Sequence, residues 1–173
     1  GWSYGGGLID PGTGEIIKGY VNLGSQRVRQ DLLIAEGILA PYKPGADPAL
    51  RNEAQQMALQ RLKQLAAHEV GHALGFAHNF AASRAPTGSV LDYPHPQITL
   101  GADGQPRMKI AYDTGVGEWD KFIVAHAYGV FTPAQEQAAL AKLRADIKAK
   151  GYQYVSDADA RSLYNAHEAG LLW

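Results

Sequence analysis

The sequence predicts a helix-rich α+β fold. Three observations carry this reading. An early stretch with turn residues between two apolar runs reads as a β-hairpin. A long apolar pattern of helical period follows from residue 47. Two more helical patterns fill much of the C-terminal third.

The elements follow in order. In "LIDPGTGEIIKGYVNL", Asp10-Pro11-Gly12 and Gly14 are turn residues, and Ile16 to Leu23 is the better strand. "SQRVRQDLLIAEGI" is a short helix: Ser25 is placed to cap it, Val28, Leu32 and Ala35 share a face, and Gly37 is placed to end it. The next helix is long, with Asp47 as N-cap and Pro48 in the first turn. Leu50, Ala54, Met57, Ala58, Leu62 and Leu65 keep helical spacing, and Gly75 is the expected stop. Residues Ala81 to Gly117 are rich in proline and glycine and read as loop. A helix is expected from Glu118, with Trp119, Phe122 and Ile123 inward. Another opens at Thr132-Pro133, carries Leu140, Leu143 and Ile147, and stops near Gly151. "SDADARSLYNAHEAGLL" is expected to hold a last short helix.

Bulk properties exclude several function classes. The 173 residues suffice for one domain with a core, and one domain over residues 1–173 is expected. Hydrophobic residues make up 46% and charged residues 19%, an ordinary globular balance. The net charge of −1, without a basic block, gives no footing for nucleic acid or an anionic membrane. No apolar run approaches the roughly 18 residues that span a bilayer. The absence of cysteine rules out disulfides and thiolate metal ligands without identifying a compartment. The opening "GWSYGGG", lacking methionine or a signal peptide, reads as that of an excised or processed piece.

The chemistry lies in "HEVGHALGFAHN", which holds three of the six histidines. His68 and His72 are four residues apart, about 40° around a helix, so both imidazoles leave one face. That suits two ligands of one Zn²⁺. Glu69 adjoins the first and is placed to deprotonate a water without occupying a coordination position. On a continued helix, His78 would lie about 240° around from His72, on the wrong side. The chain must leave the helix first, and Gly75 allows this, because glycine takes the left-handed conformation at little cost. Three imidazoles with one open position make a catalytic rather than a structural zinc site. A bare HExxH arises by chance in roughly one chain of this length in a few hundred, and adding Gly75 and His78 lowers that several hundredfold.

"HEVGHALGFAH" matches HExxHxxGxxH and so resembles the zinc signature of the metzincin clan of metallopeptidases. Metzincins also have a tight turn beneath the metal, usually carrying methionine. "SVLDYP", Ser89 to Pro94, is similar to that Met-turn, with Leu91 at the methionine position. Tyr93 matches the tyrosine that, in astacin-like and serralysin-like members, binds zinc and swings to the transition state. "DPGTGEIIKGYVNLGSQRVRQD", the zinc motif, "SVLDYP" and "YDTGVGEWDKF" together resemble a bacterial family of zinc-dependent metalloproteases known as Met-zincins, over most of the chain.

The resemblance implies a metzincin-like catalytic domain with Zn²⁺ as cofactor, held by His68, His72 and His78. It implies peptide-bond hydrolysis of a protein or peptide substrate, with Glu69 as general base and Tyr93 as oxyanion donor. An exported location is implied, and an edge strand, Ile16 to Leu23, that pairs with extended substrate. Ordinary sheet packing is an equal reading of that strand. Leu91 departs from the pattern: it keeps an apolar floor but lacks the thioether, which bears on fine tuning of the zinc site. Only 15 residues precede the strand, fewer than a metzincin upper sheet uses, so a truncated domain is expected. Two alternatives stay open: a zinc-binding but catalytically silent fragment or peptide-binding module, and a zinc hydrolase acting on another bond. The remaining candidates are weaker. His95 reads as a surface loop residue, His126 as a hydrogen-bonded core histidine, and His167 lacks a partner histidine four residues on. Asp113, Glu118 and Asp120 read as a solvated acidic cluster at a helix start before a second metal site.

Overall fold

The computed structural model describes residues 2–84 and 88–160. It is helix-rich α+β and falls into two compact units. The first comprises the residues up to Leu74 together with Pro94–Gly115, and the second Gly75–Tyr93 and the described residues from Val116 on. No described helix is long and apolar enough to cross a membrane.

In the first unit, strands β1 (Tyr4–Ile9) and β2 (Ile16–Asn22) form the antiparallel hairpin, with Tyr4 opposite Asn22 and Gly7 opposite Gly19. Asp10 builds its turn: one carboxylate oxygen accepts from the Gly12 amide at 2.8 Å and the other from the Thr13 hydroxyl at 3.0 Å. These bonds, the Gly12 amide foremost, hold the Asp10 carboxyl below its ordinary range. Gly14 completes the turn with φ +78°.

Helix α1 (Gln26–Leu39) packs on α2 (Ala49–Ala73). Two expectations about α1 need correction. Ser25 already has helical dihedrals and its side chain makes no cap bond. The helix also runs past Gly37, because Ile38 and Leu39 belong to the core, and it ends at Ala40 in the left-handed conformation. Asp47 does receive the Ala49 amide at 2.9 Å, as a cap should. The core of this unit joins Ala35 and Leu39 to Leu50, Ala54 and Met57, and to Met108, Ala111 and Tyr112. Polar side chains of α2 satisfy the backbone of that last segment. Glu53 accepts from the Met108 amide, and Gln60 accepts from the Ala111 amide at 2.8 Å and donates to the Lys109 carbonyl at 2.9 Å. Asp31 lies fully buried 3.3 Å from Arg27. Burial pushes its carboxyl upward, against the opposing pull of Arg27 and Arg61. The stretch expected to be loop throughout holds a 3₁₀ turn, Phe80–Arg84, and a two-residue ladder of β3 (Thr99–Leu100) with β4 (Pro106–Arg107).

The "YGGG" of β1 has a steric reason. A Cβ on Gly5 would fall 1.9 Å from the Glu69 carbonyl oxygen and 2.7 Å from its carbon. A Cβ on Gly19 would lie 3.4 Å from that of Ala73. Bare backbone on this face lets the hairpin lie directly on the C-terminal turns of α2.

In the second unit, α3 (Glu118–Tyr128) packs on α4 (Pro133–Ala149) through Trp119, Ile147 and Tyr152, with Phe122 and Ile123 at the margin. Thr132 and Pro133 open α4 as expected, and Gly151, at φ +83°, follows its end. Glu118 bridges Lys121 and Lys150 at 2.7 and 2.5 Å, and these bonds pull its carboxyl down to about 2. A short helix, α5 (Asp157–Ala160), starts where the last helix was expected. His167 lies outside the described residues.

Candidate metal centre

The buried stripe of α2 runs Leu50, Ala54, Met57, Arg61, Leu65, His68, so the first histidine continues the face that packs inward. His68 and Glu69 are buried and His72 is half-buried. The Nε2 atoms of His68 and His72 are 3.1 Å apart, with the rings edge-on. Two ligands of one tetrahedral zinc, each about 2.1 Å from it, stand about 3.4 Å apart. The two nitrogens thus converge as ligands of one ion must.

The helix ends where the third histidine requires. Ala73 is its last residue, the Leu74 amide closes on the Val70 and Gly71 carbonyls, and Gly75 follows with φ +86°. One ring nitrogen from each of His68, His72 and His78 lies within 4.8 Å of the others. Imidazole is a good zinc ligand, and all three residues offer a nitrogen donor. The donor set fits the metal expected from the sequence.

His78 sits among named partners. Its Nδ1 is 2.9 Å from Asp157 Oδ2, and its Nε2 is 3.0 Å from the Tyr93 hydroxyl. Its ring stacks on Phe80 at 5.2 Å, and Phe80 stacks on Tyr93 at 5.7 Å. Tyr93 therefore meets the third histidine.

Asn79, the next residue, is fully buried and ties three segments together. Its backbone amide donates to the Leu91 carbonyl at 3.0 Å. Its side chain donates to the Gln153 carbonyl at 2.8 Å and accepts from the Val155 amide at 3.2 Å. Leu91 is 1% exposed, so the apolar residue of "SVLDYP" is a packed one. That turn is anchored by Asp120, which accepts from the Ser89 hydroxyl, from the Val90 amide at 3.0 Å and from the Gly117 amide at 2.6 Å.

The acidic trio is solvated only at the exposed Asp113, and among the described residues it does not gather into a second metal-holding group. Asp120 is buried against the turn, Glu118 is ion-paired, and Asp113 caps its own loop through the Gly115 amide. His95 is exposed. His126 is half-buried and lies 3.0 Å from Arg144, at the surface and not in the core. Sequence reasoning missed Asn79 and Asp157 and misread Asp120. The only signal was that Asn79 directly follows the third histidine.

A family model described as Met-zincin matches residues 51–171, well over half of the chain. No curated protein and no solved structure matches. The family implies zinc, and among the described residues His68, His72 and His78 form a group able to hold it.

Proposed function

The chain belongs to the Met-zincin family, and from that premise we propose that it is a zinc-dependent endopeptidase of the HExxHxxGxxH type, hydrolysing peptide bonds in protein or peptide substrates. The observation that carries this reading is the convergence of three imidazoles beside the buried carboxylate of Glu69. Three protein ligands leave one position for chemistry, whereas a structural zinc site is usually closed by four. When bound, zinc supplies a Lewis acid for the scissile carbonyl and makes a water acidic enough to lose its proton near neutral pH.

The chain's own residues do the rest. Glu69 takes the proton of the attacking water and returns one to the leaving amine. Its place next to His68 on a rigid helix keeps it at the site without making it a ligand. Tyr93 donates a hydrogen bond to the oxyanion as the carbonyl becomes tetrahedral. Its ring packing on Phe80 and His78 holds the phenol beside the third histidine. Among the described residues β2 pairs only with β1, so it has an edge on which an extended peptide can add a strand.

A peptide-library digest tests the reading. The zinc-loaded chain should cleave peptides, lose activity with a chelator and regain it with zinc. Cleavage unaffected by the chelator would contradict it. In the same assay Tyr93→Phe keeps the ring and removes the donor, so folding should survive. One oxyanion donor is typically worth about 10²–10³ in kcat with little change in KM. An unchanged kcat would make Tyr93 a packing residue. A rise in KM alone would make it a uniform substrate contact.

A further inference from the structure

Asp157 lies 79 residues from His78 in sequence, yet its Oδ2 is 2.9 Å and its Oδ1 3.2 Å from the same ring nitrogen, Nδ1. An ionised carboxylate only accepts, so Nδ1 must carry the proton. That leaves Nε2 with its lone pair, in keeping with its contact to the Tyr93 hydroxyl at 3.0 Å. Asp157 is delivered to this place by a series of fixed points. Gly151, in the left-handed conformation, turns the chain out of α4. Tyr152 is buried with Trp119 and Ile147. Asn79 then holds Gln153 and Val155 from both ends of its amide. Asp157 is two residues further on. Its own side chain is 43% exposed, so burial does not explain its position.

We propose that Asp157 is a positioning residue for the metal centre: its carboxylate fixes the Nδ1–H tautomer and the orientation of His78, so that Nε2 faces the ion. The inference rests on the zinc reading above and adds an outer carboxylate to it. Such partners of metal-bound histidines orient the ring and raise its basicity. This carboxylate comes from outside the HExxHxxGxxH motif, from the segment after α4.

Two measurements on the full chain test it. Chelator competition gives the zinc dissociation constant, and nitrogen-15 NMR of the metal-free chain gives the His78 tautomer. Asp157→Ala should weaken zinc binding by about 10–100-fold and abolish the preference for the Nδ1–H tautomer. Asp157→Asn keeps an acceptor oxygen and should recover part of both. Should the alanine variant not fold, Asp157→Ser, polar but too short to reach Nδ1, carries the same expectation. Wild-type zinc affinity and an unchanged tautomer in the folded variants would overturn the proposal. A parent chain that takes up no zinc would overturn the zinc reading instead, and the tautomer would still decide the role of Asp157.

Discussion

Glu69→Gln should keep its zinc and lose most of its turnover. Glutamine matches glutamate in size, so a buried position on α2 accepts it without a cavity. The three histidines are untouched, so metal content should stay at the parent level. Glutamine cannot take a proton, and a positioned acid/base is typically worth about 10²–10⁴ in rate. The fall should appear in kcat, since Glu69 acts on the reacting atoms and not in binding the substrate. Zinc content and steady-state kinetics on one preparation make the check. Undiminished proteolysis would remove Glu69 from the mechanism, and loss of zinc would make it a ligand.

The second large effect is on stability, at a glycine far from the motif in sequence. Gly5→Ala places a carbon 1.9 Å from the backbone carbonyl oxygen of Glu69. Backbone in a helix cannot step aside as a flexible side chain does, so the hairpin must lift off α2. Overpacking usually costs 1–3 kcal/mol, and a clash with main chain belongs at or above the top of that range, about 3 kcal/mol. Gly37→Ala is the control. Its Cβ meets nothing within 4 Å, and within a helix the exchange should stabilise by about 0.5–1 kcal/mol. Denaturant unfolding of the three chains measures both. Equal stability of Gly5→Ala and the parent would mean that β1 does not lie on the zinc-motif helix as described.

The centre of the site was legible because it is local. The positions of His68 and His72 follow from helix geometry, and the departure of His78 from that face follows from the conformational freedom of Gly75. The hairpin was legible for the same reason: Asp10 and Gly14 shape a turn within a few residues. What supports the site was not. Asp120 looked like an acid favouring a helix start, and only the fold brings the Ser89 hydroxyl and Val90 amide to it across about 30 residues. Asp157 and Asn79 are joined to their partners over 74 to 79 residues, with no periodic pattern to announce it. "YGGG" gave no pattern at all, since what explains it is the backbone it touches. The end of α1 was misplaced because a glycine signal is weak where the residues after it pack in a core.

All of this turns on one ion in one place. Elemental analysis of the purified chain, alongside His72→Ala prepared in the same way, tests that most directly. About one zinc per parent chain is expected, and little or none in the variant, whose remaining two imidazoles cannot hold the metal through purification. A parent chain without zinc, or a His72→Ala chain with as much zinc as the parent, would contradict it.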